Sequence, residues 1–111
     1  VKFSRLAPHS HIPAHCGPTN LFLRCHLGLD IPDSCGMRVD SEVRTWEEGK
    51  IWIFDDSFNH EVWNNSNHSR TVLIFYVFHP DLTAEDIKEC RRLIPQFLET
   101  RVWQVFSEMF V

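Results

Sequence analysis

The clearest chemistry in this chain sits at two positions. His60 lies within Phe54-Asp55-Asp56-Ser57-Phe58-Asn59-His60-Glu61-Val62-Trp63, and Arg70 follows ten residues later, heading the apolar run Thr71 to Phe78. An imidazole is a good ligand for iron, copper, nickel and zinc alike. A guanidinium inside a barrel needs an anion, because burying it alone costs several kcal/mol. His60 therefore reads as a metal ligand and Arg70 as a carboxylate clamp, although a salt bridge at an exposed strand start stays open for Arg70. The best source of a second ligand is Ala14-His15-Cys16-Gly17-Pro18-Thr19-Asn20. In the two-His-one-carboxylate triad the acid stands two residues after the first histidine, and here that residue is Gly17, which has no donor. The metal would then keep two protein bonds and room for a cosubstrate, whereas a structural zinc takes four.

These residues must be positioned by strands. From Leu21 to Leu29 every odd position is apolar, which puts Arg24 and His26 together on the other face; an exposed polar face is the alternative. Val1 to Leu6 also reads as a strand. Pro8 to Pro13 reads as turn, with His9 and His11 solvated or on a pocket rim. Met37 to Val43 is predicted as one short strand and Trp46 to Lys50 as a turn with Gly49 at positive φ. Ile51 to Phe54 and Val72 to Phe78 read as buried strands. About seven short strands indicate a sandwich or jelly roll. Asn64-Asn65-Ser66 and Asn67-His68-Ser69 match the glycosylation pattern in a predicted polar loop. Beyond Asp81, Thr83 and Asp86 form a capping pair for a helix over 84–94, with Ile87, Cys90 and Ile94 on one stripe. Pro95 ends it and opens a second helix. These helices are expected to brace the sheet.

A chain of 111 residues is sized for one domain. Its apolar fraction of 43%, with four tryptophans and nine phenylalanines, marks a folded protein. A net charge of -4 without a basic run predicts no nucleic-acid partner and no direct membrane contact. No stretch has the length of a membrane span and no leader is evident, but the start at Val1 without Met suggests a fragment of a longer protein, so targeting signals need not lie within it. Cys16, Cys25, Cys35 and Cys90 show no zinc spacing, and their disulfide pairing stays open.

Five segments in order, His15 to Asn20, Arg24 to Leu29, Trp46 to Lys50, Phe54 to Trp63 and His79 to Thr83, resemble the aspartyl/asparaginyl β-hydroxylase family. The resemblance implies a mainly β, double-stranded β-helix (cupin-like jelly roll) fold over 1–82; the helical segment over 83–111, read from capping and periodicity, has no counterpart in it. It implies an Fe(II)- and 2-oxoglutarate-dependent dioxygenase holding iron through two histidines without a carboxylate. His15 and His60 match the metal ligands. Arg70 matches the arginine that holds the distal 2-oxoglutarate carboxylate, and Ser4, Arg24 and His26 match further cosubstrate contacts, with Cys25 on the opposite face. Asp55 and Asp56 read either as acids orienting a metal-bound water or as turn formers. The implied partners are molecular oxygen and a protein substrate with an Asp or Asn acceptor, EGF-like domains among them. The implied location is the endoplasmic reticulum for an animal-type parent and the cytoplasm for a bacterial type. Family catalytic domains extend upstream of Val1, and that portion supplies part of the pocket. The rival readings are a cupin-like binding module without turnover and a structural jelly roll with core histidines.

Overall fold

The computed structural model describes the backbone of residues 1–98 and the side chains of residues 1–93. Eight strands precede one helix: β1 (Lys2–Leu6), β2 (Ser10–His15), β3 (Phe22–Asp30), β4 (Cys35–Val39), β5 (Glu42–Arg44), β6 (Ile51–Phe54), β7 (His60–Asn64), β8 (Arg70–Phe78) and α1 (Ala84–Leu98). They form two antiparallel four-stranded sheets, ordered β1-β8-β3-β6 and β2-β7-β4-β5. This is the expected jelly roll. Its core, Met37, Trp46, Phe54, Val62, Val72 and Ile74, lies between the sheets.

Several expectations are corrected. Only Pro8 and His9 turn; Ser10 to His15 is a strand despite Pro13, because β2 is a sheet edge with a register irregularity between Ile12 and His15, where a missing N–H is tolerated. His9 and His11 are exposed, as the solvated reading has it, and pair with neighbours: His9 Nε2 meets Asn67 Oδ1 at 2.8 Å, and His11 Nε2 meets Glu61 Oε2 at 2.9 Å. The single strand expected over 37–43 is a hairpin, turned by Asp40 at φ 52°. Asn64 is no loop sequon. It is fully buried, and its Nδ2 donates to the carbonyls of Leu6, Ala7 and His68. The predicted turn at Gly49 is present, with φ 78°.

The outer face of the first sheet is apolar along its whole width. Register aligns Phe3, Leu73, Leu27 and Ile51 in one row, Phe75, Cys25 and Ile53 in the next, and Val77 with Leu23 in a third. Ile51 and Ile53, read from sequence as buried, are 54% and 52% exposed, while Phe54 faces the core. At the far end, Thr83 and Asp86 cap α1 reciprocally, the Thr83 amide donating to Asp86 Oδ2 and the Asp86 amide to Thr83 Oγ1. The helix runs through Pro95 rather than ending there, since in its last turn the absent N–H removes one bond only. The second helix expected beyond Pro95 falls largely outside the described residues.

Candidate functional site

His15 ends the edge strand β2 and His60 opens its neighbour β7, and their register pairs them directly. Their ring centroids stand 4.3 Å apart. His15 Nδ1 is 2.7 Å from the Pro13 carbonyl and His60 Nδ1 is 2.8 Å from the Phe58 carbonyl. A carbonyl only accepts, so each ring carries its proton on Nδ1 when neutral, and the Nε2 lone pair is the one presented. Burial lowers the His60 pKa to about 4, so that ring is neutral at physiological pH. Two imidazoles side by side with fixed tautomers are a donor set suited to Fe(II), though not to that metal alone. Among the described residues no group of three His, Cys, Asp or Glu forms a metal cluster.

A buried cationic end faces this pair across the barrel. Arg70, 2% exposed, donates from Nη2 to Ser4 Oγ at 3.0 Å and lies 4.6 Å over the Trp46 ring. Burial lowers its pKa to about 10, which leaves it charged. Among the described residues no carboxylate pairs with Arg70, and its Nε has no hydrogen-bond partner. The same Trp46 donates from Nε1 to His26 Nδ1 at 3.1 Å. Burial, ahead of the nearby arginines, holds the His26 pKa well below 6.5, so the ring is neutral with its proton on Nε2. That Nε2–H is buried with no acceptor among the described residues. A buried cation without an acid and a buried donor without an acceptor both suit a ligand carboxylate.

Arg24 lies on the same face of β3 as His26, as the alternation predicts, but its surroundings differ. Its Nε is 3.4 Å from Asp56 Oδ2, with both side chains buried, and its Nη2 donates to the Tyr76 hydroxyl. Burial raises the Asp56 pKa and Arg24 opposes that rise. The Asp56 carbonyl accepts the Gly17 amide at 2.6 Å. A Cβ on residue 17 would stand 2.8 Å from that carbonyl and 2.9 Å from Asp56 Oδ1, so the position where the triad's acid would stand is filled by the opposing loop. Asp55 is the turn former: its Oδ1 accepts the Ser57 amide and hydroxyl.

Ser4, Arg24, His26, His60 and Arg70 line one cavity, and His15 adjoins it through His60. About 10 Å³ is open to the centre of a water molecule, roughly one water's worth, so a five-carbon diacid fits only if lining side chains retract. Trp46 and Tyr76 were not anticipated as site residues. Trp46 sits at a turn in sequence, and Tyr76 is one aromatic among several in an apolar run; neither carries a local signal of its partner.

The family model for aspartyl/asparaginyl β-hydroxylase matches residues 1–80. The mouse aspartyl/asparaginyl β-hydroxylase is 49% identical over 96 residues, which is 86% of this chain and 12% of that protein. The ornithine lipid ester-linked acyl 2-hydroxylase of Rhizobium tropici is 50% identical over 74 residues, 64% of this chain and 26% of that protein. The chain thus spans a small part of the curated relatives it matches. Among solved structures, the cupin domain of Schizosaccharomyces pombe Cnp3 superposes with a TM-score of 0.58 at 9% identity, covering 81% of this chain and 58% of that one. The TT1209 protein of Thermus thermophilus gives 0.55 at 18% identity, covering 70% of each. These two show the fold, and the family match carries the relationship. The chain belongs to the aspartyl/asparaginyl β-hydroxylase family.

Proposed function

We propose that this chain forms the metal- and cosubstrate-binding core of a hydroxylase that acts on an unactivated C–H bond, using Fe(II), 2-oxoglutarate and molecular oxygen. The observation that carries the reading is the side-by-side His15 and His60 rings together with a buried cationic end, Arg70, that has no acid among the described residues. His15 and His60 would hold the iron. Arg70, with Ser4 beside it, would take the far carboxylate of 2-oxoglutarate, and the His26 Nε2–H would donate to a cosubstrate oxygen. Trp46 fixes both by one ring, its N–H setting the His26 tautomer and its face supporting the guanidinium. Bound iron and 2-oxoglutarate would supply the oxidising chemistry; the protein's part is to orient them and exclude water. Arg24 serves less as a direct contact than as the counter-charge that keeps Asp56 against Gly17, beside His15.

The substrate reading is the β-carbon of an Asp or Asn residue in a protein, in keeping with the names of the mouse and human relatives. A binding module without turnover is the alternative, and the small cavity favours it. The deciding assay is succinate formation from 2-oxoglutarate with Fe(II) and ascorbate, in the chain and in His60→Ala. Turnover lost in the variant supports the hydroxylase; no turnover in either, repeated with the parent protein that includes the upstream portion, removes it.

A further inference from the structure

A second concave site lies outside the iron-site cavity, between the loop that follows β2, the start of β3, and α1. It encloses about 380 Å³ and its walls are Leu21, Phe22, Leu82, Cys90 and Leu93. That volume is within the range of small-ligand sites, about 300–1,000 Å³. Three of those five walls lie beyond residue 80, where the family match ends, so the pocket is not built from the matched segment alone.

The lining is carbon with two acidic exceptions. The Leu21 carbonyl is taken by the His79 amide, and the Thr19 hydroxyl by the Leu21 amide. Five of the eight lining side chains are apolar, and this favours a hydrocarbon chain against them. The charged residues at the pocket are Asp86 and Glu89. Glu89 is bridged by Arg92, whereas Asp86 meets no cation among the described residues. The Asp86 carboxylate is bonded by Thr83, whose amide donates to Oδ2, and it stays exposed at the rim, where a carboxylate can accept a further donor. The helix cap holds the Asp86 pKa below its ordinary value, so the carboxylate is charged at neutral pH. A carboxylate-headed chain would be repelled there and an ammonium-headed one attracted.

We infer that this pocket is a binding site for an aliphatic chain bearing a cationic head, with the chain against Leu21, Leu82 and Leu93 and the ammonium at Asp86. Phe22 lies edge-on to Tyr76, with ring centroids 6.4 Å apart, and Tyr76 accepts from Arg24, which lines the other cavity. Binding does not depend on iron or on the hydroxylase reading.

The test is calorimetric titration of the full 111-residue chain, without metal, with n-octylamine and with octanoate. Saturable binding of octylamine, about tenfold tighter than octanoate and weakened about tenfold in both Leu93→Ser and Leu82→Ser, is expected. Leu93 is 41% exposed, so its substitution is expected to cost little packing, and far-UV circular dichroism checks that the variant is folded. No saturation with octylamine, equal affinity for octanoate, or unchanged affinity in a folded Leu93→Ser protein would overturn the site.

Discussion

The Gly17 amide donates to the Asp56 carbonyl at 2.6 Å, and the Asp56 side chain occupies the space that a side chain on residue 17 would need. Two loops thus close on each other beside His15, and packing leaves no room for a side chain at residue 17. Gly17→Asp is therefore expected to destabilise the chain by about 1–3 kcal/mol, as overpacking does, without tightening metal binding. Thermal unfolding and Mn(II) titration check both halves; a stable variant that binds metal more tightly would refute the packing argument.

In the proposed two-histidine site, removing either imidazole would leave one protein bond to the metal. His15→Ala and His60→Ala should each abolish detectable iron binding, read by metal analysis after reconstitution. His26→Ala should retain the metal and weaken 2-oxoglutarate instead.

Arg70→Lys keeps the charge and loses the fork. A charge-assisted bond at a buried site contributes about 1.5–3 kcal/mol, so the half-saturating 2-oxoglutarate concentration should rise roughly 10- to 100-fold with iron content unchanged. Calorimetry with Mn(II) in place of iron decides it, equal affinities removing Arg70 from the site.

Trp46→Phe retains an aromatic face under Arg70 and deletes the N–H bonded to His26. Leaving His26 Nδ1 buried and unbonded should cost about 1–3 kcal/mol in stability. The proton on His26 is then free to move to Nδ1, which ¹⁵N spectra of the imidazole would register; an unchanged tautomer would mean that Trp46 does not set it.

Acid should destabilise the metal-free chain in a defined window. His60 has a folded pKa of about 4 against 6.5 in the unfolded chain, so the unfolded state binds the extra proton between those values. The stability from neutral His60 is complete above about pH 6.5 and falls as pH drops towards 4, by about 3 kcal/mol in all. His26 adds in the same direction, and Asp56, whose pKa is raised, opposes at the acid end. Urea unfolding of the metal-free chain at about pH 7 and about pH 4.5 measures it; equal stability would show that His60 is not desolvated as described.

Strand alternation located Arg24 and His26 on one face, and the apolar runs located β6 and β8, because side-chain period depends only on neighbours in sequence. The approach of Gly17 to Asp56, the double use of Trp46 and the Arg24–Tyr76 bond depend on which strands pair across the jelly roll, and no local pattern encodes those partners. β2 was misread for a related reason. Proline forbids a strand interior but is admissible on an edge, and edge position is a property of the sheet.

The apolar outer face of the first sheet bears on how the isolated chain behaves as a colloid. Phe3 is 72% exposed and is followed across the strands by Leu73, Leu27 and Ile51, so hydrocarbon is presented as a flat tract and not as scattered points. Contiguous tracts of that kind drive association, and salts excluded from protein surfaces strengthen the drive. The net charge of -4 opposes it only while ionic strength is low. Purification of this chain by itself therefore calls for dilute buffer, and precipitation on adding sulfate would begin at this sheet.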